Sequence, residues 1–564
     1  MLGARYQLVL ASSGLALILA LPFALLATGP DKLAAAPAVP AAGVASVAQA
    51  LTPAAVVAER FADAVPNSAP SDQAAAPEPA SAPDPLAALD PTDRAVAEKI
   101  RDLLAAKPDR FFANKKDSAA AAAFYQNRNL APLWLEKGAE NVRAAAVVAR
   151  VKAADADGLE PGDYKLPNFA GLGPEGLAEA ELRLTGAVLT FARHLQAGRF
   201  PYTRVSRNNI ELPQALPEPA DILGRIADAA DAGQALDAFS PPQEPYRKLK
   251  AMLAQLRGRP GAAKGDASRQ IETVVANMER WRWYPRDLGT DHVIVNQPDF
   301  TLVVMHNGAQ VWTTRIVIGK PTMPTPLLSE TMKSITVNPT WHVPASIVHN
   351  EYLPALAQDP TVLDRMGLRV SYSGGEVQIT QPPGDGNALG RLRFNFPNRF
   401  SVYQHDTPDK HLFGESFRAY SHGCMRVQDP AKYAEVLLNI ARPHERWAAE
   451  RIKGMFGSAE QDIALPPTQI WVHITYQTAF VDAAGKLQIR PDVYGLDSRT
   501  LAAIKGERGA IESAPGQRRE QDAATGPAFR RSAHPASAGT NVQSMSYEPP
   551  MSYGPPSYLA PIYR

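Results

Sequence analysis

One cysteine, Cys424, stands in 564 residues. That excludes an intramolecular disulfide framework and any multi-cysteine metal site. Charge of one sign is not in excess either. The chain has 58 lysines and arginines against 57 aspartates and glutamates, a formal net charge of +1. A globally basic nucleic-acid binder and a globally acidic chain are both excluded. Aromatics are nearly missing from residues 31–91, where Phe61 stands alone among alanines and prolines. Such a stretch cannot assemble a core, and its repeated proline makes it a disordered but stiff spacer. The last segment, 505–564, lacks periodicity and reads as a disordered tail.

What is present begins with an apolar run from Leu8 to Ala27, with Arg5 as the only charge before it. About 20 residues just span a bilayer. Pro22 and the small residues after it fit an export signal, so residues 1–30 are expected to be a signal peptide or a membrane anchor. The remainder is then expected to be exported. From 92 to 258 the pattern is helical: Thr92 is placed to cap the first helix, and Leu182, Leu184, Val188, Leu189, Phe191 and Leu195 make one apolar face. Gly198 follows as a C-cap, and His194 reads as a packing residue.

A Gly-rich breaker around 258–268 and one more helix precede a change of character. HVIVNQ, TLVVMHN and AQVWTTRIVIG are β-branched alternating runs, and Asn307-Gly308 between the last two predicts a type I′ hairpin. Further strands are expected at SITVN, LRVSYS, EVQIT, RLRFNF, FSVYQH and IWVHITYQT, with a helix over PAKYAEVLLNIAR. The class is α+β, with a mainly β domain after a helical one.

Cys424 lies in the polar turn AYSHGCMRV, after a glycine and among Ser421, His422 and Arg426. A lone cysteine is ordinarily packing, but this setting is not that of a core residue. Upstream, the FSVYQH strand ends at His405, 19 residues before the cysteine. A strand–loop–strand return would bring the imidazole to the sulfur, giving a base and a nucleophile from two segments. Backbone N–H groups at Gly423 and Cys424 would face a developing oxyanion. His342, His349, His405, His411 and His422 lack the spacing of a zinc site, so no metal is expected.

Ser421-His422-Gly423-Cys424-Met425-Arg426-Val427, with His405-Asp406-Thr407 upstream, resembles the signature of L,D-transpeptidases with a YkuD-type catalytic domain. The segments IVIGKPTMPTPLLSE, NPTWHVPASI and QPPGDGNALGRLRFNFPN resemble the large Gram-negative subfamily, and DGLEPGDY its helical part. The peptidoglycan-binding module that larger relatives insert before the catalytic domain is replaced here by the short Gly-rich breaker.

The resemblance implies a catalytic domain over 270–497 with a lid insertion at about 339–390, on an α-helical scaffold over 92–258. It implies Cys424 as nucleophile and His405 as its base, with His422, Gly423 and Ser421 shaping the pocket and oxyanion hole. Asp406, next to His405 on the strand, is expected to point to the other face, leaving a backbone carbonyl to orient the imidazole. Arg426, Arg418, Tyr403 and Trp341 are candidate substrate contacts, with ion pairs and core packing as their alternatives. The implied activity is peptidoglycan cross-linking in the periplasm, without cofactor. A diaminopimelate carbonyl of a tetrapeptide stem is attacked, D-alanine leaves, and an amine takes the acyl group to form a 3→3 link. Carbapenems are implied to acylate the cysteine. The acceptor stays open among a stem peptide, an outer-membrane protein and water, as does inner-membrane anchoring. An inactive wall-binding scaffold and a general cysteine protease are the competing readings.

Overall fold

The computed structural model describes residues 85–506, apart from 107, 263 and 467–469. The expected export segment (1–30), the expected spacer up to residue 84 and the expected tail from 507 lie outside the described residues.

The first part is helical: α1 (Pro91–Ala106), α2 (Lys115–Asn127), a small hairpin of β1 (Leu135–Glu136) and β2 (Ala139–Glu140), α3 (Val142–Lys152) and α4 (Pro174–Ala197). Asp90, rather than Thr92, caps α1. Its carboxylate accepts the Thr92 N–H at 2.9 Å, because the helix starts one residue earlier on Pro91, a favoured first position. Helix α4 buries the expected face: Leu182, Leu184, Val188, Leu189, Phe191 and Leu195 are all fully enclosed. Each such side chain contributes about 1.5–3 kcal/mol. The helix stops at Gly198, whose N–H bonds the His194 carbonyl. His194 packs beside Tyr164, with its Nδ1 3.0 Å from the hydroxyl, and burial lowers its pKa to about 3. The same helix carries a buried carboxylate, Glu181, which takes the Tyr125 hydroxyl at 2.8 Å and the Trp134 N–H at 3.1 Å.

A short strand β3 (Ile210–Glu211) and helices α5 (Pro219–Asp228), α6 (Ala232–Asp237), α7 (Glu244–Arg257) and α8 (Gly265–Trp281) follow. The buried side of α7, including Leu249, Leu253 and Leu256, packs into the core beneath the sheet rather than among the earlier helices. β3 pairs with a strand of that sheet. Helix α8 ends in charge that is fully enclosed. Glu279 bonds Arg282 at 2.8 Å and the Arg199 N–H at 2.7 Å, and Arg282 also reaches the Asp157 carbonyl at 2.6 Å.

The second part is mainly β. Strands β4 (Asp291–Asn296), β5 (Thr301–His306) and β6 (Ala309–Gly319) form a meander. Asn307 and Gly308 both take positive φ between β5 and β6, as a type I′ turn requires. Strands β7 (Leu327–Thr331) and β8 (Ser334–Val337) lead into the 339–390 insertion. The insertion holds short helical turns and its own three-stranded sheet, made by β9 (Trp341–His342), β10 (Arg369–Ser373) and β11 (Glu376–Gln381). Val348, Leu363, Leu368 and Ile379 give it a separate small core. The chain returns through β12 (Leu392–Asn395), β13 (Gln404–His405), β14 (Ala419–Ser421) and β15 (Met425–Val427), then a helix over Pro430–Ala441. β16 (Gln461–Ala464) and β17 (Trp471–Thr475) complete the main sheet. Its order is β16-β8-β12-β13-β15-β6-β5-β4-β17-β7-β3, with β14 alongside β6. The FSVYQH run pairs only at its last two residues, because Ser401 sits at φ 54° and breaks the strand.

Candidate active site

β13 and β15 are parallel neighbours, with Gln404 opposite Met425 and His405 opposite Arg426. Side chains alternate along extended chain, so this register decides what meets. Gln404 and Met425 face the core and are fully buried. Tyr403, His405, Cys424 and Arg426 therefore share the opposite face. Arg393 of β12 stands opposite His405 and joins them, its guanidinium carbon 5.7 Å from the Tyr403 ring centroid. The Tyr403 and His405 rings are 5.7 Å apart, edge to face.

The His405 Nδ1 contacts the backbone carbonyl of Asp406. A carbonyl only accepts, so Nδ1 carries the proton and Nε2 keeps its lone pair. The Asp406 carboxylate turns away. It accepts the Arg391 N–H at 2.9 Å and the Thr407 N–H at 2.7 Å, and it pairs with Lys410. The expected backbone orienter of the histidine is thus present.

Burial pushes the Cys424 thiol up to about 11, against the pull of the Tyr403 N–H and hydroxyl and of Arg426 and Arg393. Burial, and then Arg426, lower His405 to about 3. The resting pair is a neutral thiol and a neutral imidazole, with no direct hydrogen bond between them among the described residues. Catalytic hydrogen bonds of this kind often tighten only when substrate binds. The surrounding cations favour a thiolate over a thiol while discouraging protonation of the imidazole.

The loop before the sulfur is held at several points. Gly423 takes φ 116°, a conformation that a side chain would strain. Ser421 Oγ donates to the Cys424 carbonyl at 2.5 Å and accepts the Gly423 N–H at 3.2 Å. Thr325 Oγ1 donates to the Gly423 carbonyl at 2.7 Å. The Cys424 N–H has no acceptor among the described residues, which leaves it as the uncommitted donor of this loop. The Gly423 N–H is taken by Ser421.

The other expected residues divide. Arg426 is ion-paired with Asp409 at 2.8 Å, beside His405. Trp341, from the insertion, serves the Tyr403 hydroxyl and packs edge-on to Tyr352. The His422 ring reaches the insertion. Its Nε2 lies 2.7 Å from Glu351 of the insertion and 3.2 Å from Lys320. Arg418 is corrected from a substrate contact to a structural group. It is buried, and its donors go to the carbonyls of Ile316, Glu415 and Phe300 at 3.2, 2.7 and 3.2 Å.

Thr325, Glu351 and Asp409 are functional neighbours that the sequence does not single out. Thr325 lies inside the IVIGKPTMPTPLLSE segment, but its bond to the cysteine loop spans 98 residues and is not visible in the sequence.

Two family models match. One, described as a scaffold domain, covers residues 119–253; the other, described as an L,D-transpeptidase catalytic domain, YkuD, covers 290–446. A Haemophilus influenzae protein named "Putative L,D-transpeptidase" is 25% identical over 408 residues, covering 68% of this chain and 79% of that one. Among solved structures, an L,D-transpeptidase from Mycobacterium smegmatis is 11% identical over 33% of this chain, at TM-score 0.18. LdtMt1 in complex with imipenem is 13% identical over 33%, at TM-score 0.17. This chain spans 59% of the length of each of those two structures.

Proposed function

Because the chain belongs to the YkuD L,D-transpeptidase family, with a scaffold domain ahead of its catalytic domain, we propose that it remodels peptidoglycan through a Cys424 thioester. The observation that carries this is the shared sheet face of Cys424 and His405, with the imidazole held in the Nε2-basic tautomer.

His405 Nε2 takes the thiol proton as Cys424 Sγ attacks the carbonyl of the third stem residue, a diaminopimelate. The Cys424 N–H meets the oxyanion. D-Alanine leaves with the proton returned by His405, and a thioester remains. In the second half, the side-chain amine of another diaminopimelate attacks. His405 accepts its proton, and the thiol is regenerated as the 3→3 amide forms. The energy of the cleaved peptide bond is kept in the thioester, so neither nucleotide nor metal enters. Tyr403 favours the thiolate. Arg393 and Arg426 supply positive charge beside stems that carry carboxylates. Imipenem would acylate the same sulfur. The protein works on the periplasmic side, exported by its first thirty residues.

The test is product analysis with tetrapeptide muropeptides, comparing the wild type with Cys424→Ala. A 3→3 dimer with free D-alanine, absent from the variant, is the expected result. Free tripeptide without dimer assigns the acyl group to water, whereas a protein-linked tripeptide assigns it to a protein amine. No D-alanine from the folded wild type, with Cys424 unreactive to imipenem, leaves a wall-binding scaffold. Casein cleavage would indicate a protease instead.

A further inference from the structure

The cysteine loop rests on a turn that follows strand β6. Gly319 ends that strand, and there is no room for a Cβ: an added carbon would lie 2.2 Å from the Met323 carbonyl oxygen and 2.8 Å from the Thr325 nitrogen. This close approach carries Thr325 beneath the loop, where it is fully buried. The Thr325 hydroxyl accepts the Gly319 N–H at 2.9 Å, so its own proton is directed to the Gly423 carbonyl at 2.7 Å. Tyr494 supports the turn from the other side. Its hydroxyl donates to the Gly319 carbonyl at 2.6 Å and accepts the Thr325 N–H at 3.3 Å.

The carbonyl that Thr325 holds belongs to the Gly423–Cys424 peptide. In a trans peptide the C=O and the following N–H point in opposite directions. Fixing the carbonyl on Thr325 therefore aims the Cys424 N–H the other way, and that N–H is the donor left without a partner among the described residues. Glycine at 423, at φ 116°, lets this plane adopt whatever rotation the turn imposes. Among the described residues, nothing else bonds the Gly423 carbonyl. Ser421 holds the next carbonyl and the preceding N–H.

We propose that Thr325 is a positioning residue for the acyl-transfer reaction, setting the direction of the Cys424 N–H that stabilises the oxyanion, with Tyr494 bracing it. This rests on the cysteine-acylation reading above. It adds two residues outside the Ser-His-Gly-Cys segment, one on each side of it in the chain.

The experiment compares two reactions of the one cysteine in the full-length protein. Acylation, followed as D-alanine release from tetrapeptide muropeptide and as imipenem adduct formation, passes through an oxyanion. Alkylation by iodoacetamide displaces iodide at carbon and forms none. For Thr325→Val, acylation is expected to fall by at least about tenfold, towards the 10²–10³ that loss of an oxyanion donor costs. The alkylation rate should stay within about twofold. Thr325→Ser keeps the hydroxyl and should restore acylation. Tyr494→Phe keeps the packing and should lower acylation less, again without changing alkylation. It carries the test if Thr325→Val does not fold. Equal losses in both reactions, or unchanged acylation in folded variants, overturn the proposal. A wild type that alkylates but neither releases D-alanine nor binds imipenem would instead defeat the underlying enzyme reading.

Discussion

The Asp406 main-chain carbonyl, and not its carboxylate, holds the Nδ1 proton of His405. The carboxylate is committed to the Arg391 and Thr407 amides and to Lys410. The imidazole is thus oriented by backbone, while the acidic side chain pins the segments around it.

Asp406→Asn should therefore keep D-alanine release within a few-fold of wild type. A carboxylate in a triad role would cost about 10⁴. The folded state should lose about 1–3 kcal/mol, because contacts of the buried carboxylate are weakened. Turnover and a denaturant midpoint on the same variant separate the two roles.

Removing the base itself behaves differently. His405→Gln should lower acylation by about 10²–10⁴.

The resting sulfur is a thiol, with burial pushing it up to about 11. Alkylation by iodoacetamide should then rise about tenfold per pH unit from pH 7 towards pH 10. A rate already on a plateau near pH 6 would show a resting thiolate–imidazolium pair and contradict this.

Among the described residues, burial lowers four imidazoles, His292 among them. Burial takes His194 and His405 to about 3 and His473 to about 4. The unfolded chain takes up protons near pH 6.5, before the folded one does. Stability should therefore be fully present above pH 6.5 and fall as pH drops from 6.5 towards 4. Each imidazole contributes up to about 1.4 kcal/mol per pH unit over that window. Glu181 acts in the opposite sense. Burial raises it to about 7, so its stabilising share fades as pH rises from about 4.5 through 7. Burial also raises Glu330 and Asp497, from ordinary values below that window. With four imidazoles lowered, denaturant midpoints should decline from pH 7 to pH 5.

Glu279 serves both Arg282 and the Arg199 N–H inside the protein. Glu279→Gln should cost about 3–5 kcal/mol, because it leaves a fully enclosed guanidinium without its carboxylate. Chemical denaturation measures this. A change below about 1 kcal/mol would show that water reaches the pair.

Much of this arrangement was legible locally. The Asn307-Gly308 turn, helix α4 with its glycine stop, and the Cys–His pair rest on signals within a few residues or on a motif. The strands that carry the cysteine were not legible. β14 and β15 are three residues each, too short to show alternation. The FSVYQH run looked like a longer strand than it is, since nothing in its composition reveals the positive φ of Ser401. Arg418 looked like a substrate ligand because arginine near a site usually meets solvent, and here the fold uses every donor group of it. Thr325 and Tyr494 are 169 residues apart, and the bond between them exists only once the sheet has formed.

The most direct measurement is the intact mass of the protein quenched during turnover of a tetrapeptide stem. The account predicts a tripeptide acyl group, labile to hydroxylamine, on the wild type and none on Cys424→Ala. D-Alanine release by Cys424→Ala at the wild-type rate would contradict it.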